Sequence, residues 1–438
     1  MNRNARLMLV GVAIDALGVG LVLPFLVIYL REILDIPLPT VGVLVALPAV
    51  VGLLLVGPIG VLIDHVGPRR VQIAAAASSG LGALGLALAE GTATAGAAMM
   101  LIGLGHAAFW PANQSLVAAV LPPEKRTRYF GVSFTLLNAG IGVGGIISAF
   151  YVSADDPGTF HTIYLLDALS FLGPILILAL PLRHIGGRVP RPEHAPEGGT
   201  YREVLADRVF RQMLVVVFFS AFVGYGQLEA GWTAFSRYVG EVSTQTIGIA
   251  FAVNTGVIVV FQLLVLRLIE GRRRTRMLVV LAAIWAVSWS VMGLAGLVPG
   301  TTAAAVLVIA STGIFALGET LLSPISPAIT NDLAPDHLRG RYNALGSFSF
   351  QMAAIAAPVS AGFLIGHDLP ATYVGTLLLG CAAFGVLALR MERVLPLPAN
   401  GILPPLAPTG AGGRPAQADA ADGAAATDDD RRASARAI

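Results

Sequence analysis

Twelve stretches of the chain are long and apolar enough to cross a bilayer, and no other feature of its 438 residues restricts the possible folds as much. They lie near 7–30, 40–63, 71–90, 94–120, 129–152, 161–182, 213–237, 246–268, 277–298, 302–330, 342–366 and 371–391. A spanning helix needs about 20 mostly apolar residues. Hydrocarbon offers the backbone no hydrogen-bond partner, so each stretch must satisfy its own N–H and C=O groups, as a helix does. Composition agrees: 12% of residues are charged, against about 25% in soluble domains, and the mean hydropathy is +0.77. The expected fold is an all-α membrane protein of twelve transmembrane helices. Met1 to Arg6 is short and basic and runs into a full-length span, so no cleavable signal is expected. Cys381 is the single cysteine, which excludes an intrachain disulfide.

Arginine placement orients the chain, because basic loops are retained in the cytoplasm. One side collects Arg3 and Arg6, Arg69 and Arg70, Lys125 with Arg126 and Arg128, then Arg183 to Arg211. It continues with Arg272, Arg273, Arg274 and Arg276, Arg339 and Arg341, and Arg390 and Arg393. The other side holds Arg31 and Arg237 among Glu32, Asp35, Glu90, Asp155, Asp156, Glu241 and Asp368. A multi-pass inner-membrane protein with both termini cytoplasmic is expected. Residues 183–212, rich in Pro, Gly and Arg, read as a cytoplasmic linker between helical halves at 1–182 and 213–392. Residues 393–438 read as a disordered cytoplasmic tail, since they turn rich in Pro, Ala, Gly and Asp and carry no aromatic residue.

The halves are copies. One constant offset lays Glu270 on Asp64, Gly224 on Gly18, Gly226 on Gly20, Arg237 on Arg31 and Thr246-Ile-Gly248 on Thr40-Val-Gly42. A second offset, longer by seven residues, lays Pro324 on Pro111, Pro335 on Pro122 and Arg339-Gly-Arg341-Tyr342 on Arg126-Thr-Arg128-Tyr129. Such parallel repeats, related by an axis along the membrane normal, belong to transporters whose site lies between the halves and whose rocking alternates access.

The loop after the second span carries the most specific pattern. Gly60-x-Leu62-x-Asp64-x-x-Gly67-x-Arg69-Arg70 resembles the signature G-x-L-a-D-r-x-G-r-k of the major facilitator superfamily. His65 stands where that family has Arg, and Pro68 replaces another basic position. Glu270-Gly-Arg-Arg273 is a degenerate second copy between spans 8 and 9. The resemblance covers residues 1–392 and implies the major facilitator fold, two pseudo-symmetric six-helix halves. It also implies a cytoplasmic gate. Asp64 would accept hydrogen bonds at the start of span 11 near Tyr342, or pair with Arg128 or Arg341, with Gly60 and Gly67 allowing close approach. A plainer reading, that the loop is basic only to stay inside, needs neither the Asp nor the glycines. Leu17-Gly18 with Pro24, and Gly140-Ile-Gly142-Val-Gly144-Gly145, are similar to motifs of the twelve-span drug:proton antiporters, although Ile141 stands in place of their Pro. The Arg of their span-4 motif would fall near Met99 and is missing, which leaves proton coupling to other groups.

A charge at mid-bilayer costs about 2.5–3.5 kcal/mol on insertion scales, so each one is a functional candidate. Asp15, Asp167, Glu229 and Glu319 are such residues in spans 1, 6, 7 and 10. The second offset maps Glu319 onto His106, each following a glycine. Asp15 and Glu319 lead as proton-coupling or substrate groups, followed by Glu229, His106 and Asp167. Each has a bland counterpart: His106 as a packing residue, Asp15 as partner of a buried hydroxyl, Asp167 outside the cavity. Trp110, Asn113, Asn138, Tyr225, Trp232 and Asn254 are expected to line the cavity, with helix packing the alternative for the tryptophans.

No G-x-x-x-x-G-K-S/T loop, Cys/His metal cluster or soluble nucleophile–base pair occurs, and the basic loops lie along a membrane face. No cofactor, nucleic acid or enzymatic reaction is therefore expected. The expected function is proton-driven export of drugs or amphipathic small molecules by a monomer in the bilayer. A sugar, peptide or siderophore carrier is the alternative, and a non-transporting membrane sensor the rival from another class. If the loop is a gate, Asp64→Asn lowers turnover and leaves substrate affinity nearly unchanged, which parallel flux and binding titrations would check.

Overall fold

In the computed structural model, residues 2–185, 200–335 and 337–402 are described. Residues 186–199 of the expected linker and 403–438 of the expected tail lie outside the described residues. The helices are numbered by span: α1 Arg3–Ile33, α2 Leu38–Val66, α3 Pro68–Ala87, α4 Thr92–Val120, α5 Pro123–Tyr151 and α6 Pro157–Ala179. Then follow α7 in two pieces, Arg208–Leu228 and Gly231–Tyr238, α8 Thr244–Ile269, α9 Arg274–Ala295, α10 Thr302–Leu333, α11 Arg339–Gly366 and α12 Pro370–Glu392. Among the described residues, eleven helices have the length and apolarity to cross a membrane. The remaining one is α3, whose first turns carry Arg69, Arg70 and Gln72, yet it packs along α4 and α6 as a member of the bundle.

Local chemistry sets the helix ends. Asn2, Asp156, Asp207, Ser243 and Thr301 each accept a backbone N–H from the first turn of α1, α6, α7, α8 and α10. Gly67, at φ 93, makes the turn from α2 into α3, a conformation L side chains rarely adopt. The span expected to run unbroken over 213–237 is interrupted. Gly224 (φ −104, ψ −115) and Ala230 (φ −133, ψ −55) leave helical geometry. The Val223 carbonyl exposed by this break accepts from Trp289 Nε1 at 2.9 Å.

Within the first half, α1 packs on α5 and α6, and α4 lies between α2 and α3. In the second, α7 packs on α11 and α12, and α10 lies between α8 and α9. The halves meet through α2 with α11 and α5 with α8, two contacts that the repeat exchanges. Small residues bring these backbones together, as they do between membrane helices generally. A Cβ on Gly362 would sit 3.0 Å from Gly42 Cα, and one on Gly248 2.9 Å from Ala149 Cα.

These contacts are confined to the face opposite the basic loops. There Phe25, Ile28, Tyr29 and Leu30 are fully buried. Arg237 at the end of α7 grips Glu32 of α1 with both carboxylate oxygens, at 2.6 and 3.0 Å. Toward the basic face the same helices part. Gly57 and Gly60 of α2, Gly131 of α5, Gly256 of α8 and Gly340 and Gly346 of α11 meet nothing within 4 Å. Val61, Leu62, Val260 and Leu263 are exposed. The molecule is closed on one face and cleft open on the other.

The stretch expected to begin a disordered tail at 393 is packed at its start. Leu395, Ala399 and Asn400 are buried. Asn400 accepts from Thr275 N (3.0 Å) and Thr275 Oγ1 (3.1 Å) through its side chain, and from Arg274 N (2.9 Å) through its carbonyl. Arg273, at the N-cap position of α9, supplies no side-chain bond, so Asn400 caps that helix from 125 residues away. Arg273 and Arg276 pair with Glu392, and Arg274 with Asp332.

Two outcomes follow from these contacts. Asn400→Ala removes a cap and leaves two buried donors unmatched, a loss of about 1–2 kcal/mol, read as a melting temperature lower by a few degrees. Arg237→Ala leaves Glu32 half-buried and unpaired, which weakens closure by roughly 1–3 kcal/mol. Spin-label distances across that face should then show a larger open population.

Candidate functional site

The cleft ends in a cavity of about 260 Å³ formed by both halves. Its walls include His106 of α4, Tyr164, Asp167 and Phe171 of α6, Glu229 of α7, and Phe350 and Gln351 of α11. Val19, Val22, Leu23, Leu26 and Met99 make the rest largely apolar. His106 and Glu229 come from opposite halves and are exposed to the cleft. Glu229 sits in the interrupted part of α7, where the chain leaves the helix and re-enters it. Trp110, one turn beyond His106, is exposed and meets Phe109 edge-on.

Glycine positions both members of the symmetric pair. A Cβ on Gly105 would lie 2.7 Å from the Ala75 carbonyl, so α4 rests directly on α3, with His106 beside the contact. A Cβ on Gly318 would lie 2.6 Å from Trp285 Cδ1, so α10 rests on α9 in the same way. The environments then diverge. Glu319 is buried, accepts from Asn254 Nδ2 of α8 at 2.6 Å, and hydrogen-bonds Tyr225 of α7. It joins three helices of the second half through neutral partners and stands outside the cavity lining.

Asp167 and Asp15 occupy the interior of the first half. On α1, Gly11, Asp15 and Gly18 share a face at helical spacing. That face packs on α6: a Cβ on Gly11 would meet Pro174 at 3.4 Å, and one on Gly18 would meet Asp167 Oδ1 at 2.7 Å. Asp15 therefore faces α6 between Pro174 and Asp167. It lines a second, smaller cavity of about 30 Å³ with Gln72 and Asn113. The Oδ1 atoms of both aspartates are buried and accept no hydrogen bond.

The expected cavity set is only partly assembled. Trp232 is buried, donates to Ser311 Oγ at 3.3 Å and meets Phe251 edge-on, so it packs the second half. Asn254 and Tyr225 serve Glu319. Asn113 belongs to the small cavity, and Asn138 bonds Phe134 O of its own helix at 2.9 Å.

The contacts expected of a gate at Asp64 are not found among the described residues. Asp64 is exposed and the α2 end carrying it stands clear, a Cβ on Gly60 meeting only open space. Tyr342 instead donates to Asp207 Oδ2 at 2.9 Å, and Arg341 lies 5.8 Å over the Tyr201 ring in the short helix Tyr201–Ala206. Arg69 donates to Leu178 O of α6 at 3.1 Å, while Arg70, Arg128 and Glu270 are exposed. Three long-range contacts escaped the sequence reading: Glu32 with Arg237, Asp207 with Tyr342, and Asn400 with α9. The first could have been suspected, since opposite charges at two symmetric span ends are where the halves meet. The other two join residues over 100 positions apart without any local pattern.

The model of the Major Facilitator Superfamily matches the chain over residues 8–358 and again over 231–416. The MFS-type transporter YttB of Bacillus subtilis is 23% identical over 84% of this chain and 89% of its own length. A Na(+), Li(+), K(+)/H(+) antiporter of Planococcus maritimus is 24% identical over 82% and 89%. The class E tetracycline resistance protein of Escherichia coli is 27% identical over 41% of this chain and 44% of its own. In fold, a crystal structure of the peptide transporter POT in complex with sulfate superposes with a TM-score of 0.70 at 16% identity, covering 90% of this chain and 96% of that one. With two pseudo-symmetric halves around a one-sided cleft, the chain belongs to the major facilitator superfamily: a multi-pass membrane secondary transporter, not an enzyme.

Proposed function

We propose that this transporter exports amphipathic small molecules across the inner membrane in exchange for protons, with the basic face and both termini in the cytoplasm. The observation that carries the reading is the cavity itself. It is mostly apolar, offers His106 and Glu229 from opposite halves, and opens to the basic face. Such a wall suits a ligand with a large apolar body and one polar or cationic group better than a sugar, which needs denser hydrogen bonding. Similarity to tetracycline resistance proteins supports the same class.

Glu319 is the proton-coupling residue in this reading. Its partners Asn254 and Tyr225 are neutral, so nothing cationic holds it ionised, and it ties α10 to α7 beside the break that carries Glu229. Protonation would alter how these helices hold together. Loading from the cytoplasm then precedes closure of the basic face, with Asp64 reaching the start of α11 and the Glu32–Arg237 pair releasing. A second reading, exchange of an alkali cation for protons, draws on the similarity to the Planococcus maritimus antiporter.

Flux in proteoliposomes tests the proposal. An imposed pH gradient should drive movement of lipophilic cations or tetracyclines, and Glu319→Gln should cut that flux at least tenfold while uncoupled ligand binding persists. Unchanged gradient-driven flux in Glu319→Gln would overturn the coupling assignment. No flux for any compound of a broad panel would favour the sensor.

A further inference from the structure

The first half's wall of the large cavity carries oxygen atoms in excess of donors. Tyr164, Asp167 and Phe171 fall at i, i+3 and i+7 of α6, so they share one face of that helix. All three line the cavity. On a helix, Cβ atoms three residues apart stand about 5–6 Å from each other. Asp167 is 6% exposed and Tyr164 1%, and neither Asp167 Oδ1 nor the Tyr164 hydroxyl has a hydrogen-bond partner. Donors close by are committed elsewhere. Ser170 Oγ donates to the Asp167 backbone carbonyl at 2.7 Å. The Tyr29 hydroxyl, whose ring lies 4.6 Å from that of Tyr164, donates to Leu86 O. Across on α1, Gly18 leaves room for the carboxylate, since a Cβ there would fall 2.7 Å from Asp167 Oδ1, and Val19 and Val22 are apolar. Gln351 of α11 directs its Nε2 at α2, within 2.7 Å of a Cβ built on Gly52.

The chemistry that satisfies this wall is narrow. Among the described residues, the lining holds the carboxylates of Asp167 and Glu229 and neither Lys nor Arg, so it attracts positive charge. Glu229 is exposed to the cleft, whereas Asp167 and Tyr164 are withdrawn from it. A buried acceptor is stabilised only by a donor, and the strongest donor for a carboxylate is a cationic N–H. A quaternary ammonium brings charge without any N–H, and the sites that favour it are aromatic cages that use ring faces. Phe171 and Phe350 offer some ring surface, yet what α6 leaves unsatisfied is oxygen. An ammonium with more than one N–H can bond Asp167 Oδ1 and the Tyr164 hydroxyl together, its apolar body lying along Leu23 and Leu26.

We propose that Asp167, with Tyr164 beside it, selects the substrate class: protonated primary and secondary amines with an apolar body, in preference to quaternary ammonium ions of the same shape. The inference rests on the large cavity being the substrate site, and it is independent of the coupling assignment to Glu319.

Equilibrium binding to purified full-length protein in lipid nanodiscs tests it, with empty nanodiscs correcting for partition into lipid. The probes share one tricyclic body: nortriptyline, amitriptyline and N-methylamitriptylinium, a secondary, a tertiary and a quaternary ammonium. Affinity should fall along that series, by at least about tenfold from first to last, the factor one charge-assisted hydrogen bond supplies. Asp167→Asn should weaken nortriptyline by at least about tenfold and shrink its advantage over the quaternary probe to roughly threefold or less. Tyr164→Phe, which keeps the ring, should bring nortriptyline down to the affinity of amitriptyline. Glu90→Gln, exposed at the closed face, should keep the wild-type series. The wild-type series needs no variant, and a ratio between probes does not respond to a general loss of folded protein. Equal affinity for the three probes, preference for the quaternary one, or no binding of any would overturn the amine assignment. An undiminished series in Asp167→Asn would overturn the residue. Flux is read separately: nortriptyline that binds as expected but is not moved by a pH gradient sinks the export reading and leaves this subsite standing.

Discussion

The close backbone approach of α2 to α11 and of α5 to α8 is the contact on which the rest of the structure depends. Two bundles in a bilayer gain little from hydrophobic contact, because lipid tails are as apolar as their side chains. What joins them is van der Waals contact where glycine removes the Cβ, and a few polar bonds. Gly42 with Gly362 and Gly248 with Ala149 supply the first, and Glu32 with Arg237 the second. All lie at one face. Two bundles pinned at one end are free to part at the other, and the chain shows them parted. The cleft, its direction and its access to His106 and Glu229 follow from where these contacts sit.

The same repeat is put to different uses in the two halves. Asp64 in the first copy is exposed, with its end of α2 clear of its neighbours, a group available to another conformation. In the second copy three arginines are occupied, Arg273 and Arg276 by Glu392 and Arg274 by Asp332 and Ala399 O, and the backbone behind them by Asn400, while Glu270 and Arg272 are exposed. Most of this loop is held by bonds within its own half. Its residues answer to the segment that caps α9, not to a moving partner.

Much of this was legible because the bilayer reduces the code to a few terms. Span length, arginine bias and two constant offsets suffice for twelve helices, two halves and the faces on which loops emerge. Intramembrane charge likewise singles out Asp15, Asp167, Glu229 and Glu319 without any structure. What the sequence could not provide is the side of the helix on which each neighbour lies. Trp232 and Asn254 look like cavity residues in a list of polar and aromatic positions, yet each points at another helix of its own half. The break in α7 was hidden for a related reason: glycine is tolerated inside membrane helices, so Gly224 alone does not announce it. The Trp289 indole that satisfies the freed carbonyl is 66 residues away.

Glu319 and His106 show how a symmetric scaffold can serve asymmetric chemistry. Both follow a glycine that seats their helix against the next one, and both start from the same place in the repeat. In the first half, α1 has Val19 and Leu23 along the cavity, apolar side chains that leave His106 open to the cleft. In the second, Tyr225 and Asn254 reach across and cover Glu319. A titratable group that faces the cleft meets substrate and solvent directly. One sealed among three helices is instead a part of the bonds that hold α7, α8 and α10 together. Two diverged copies of one half thus place one titratable group in the cleft and seal the other inside its own half.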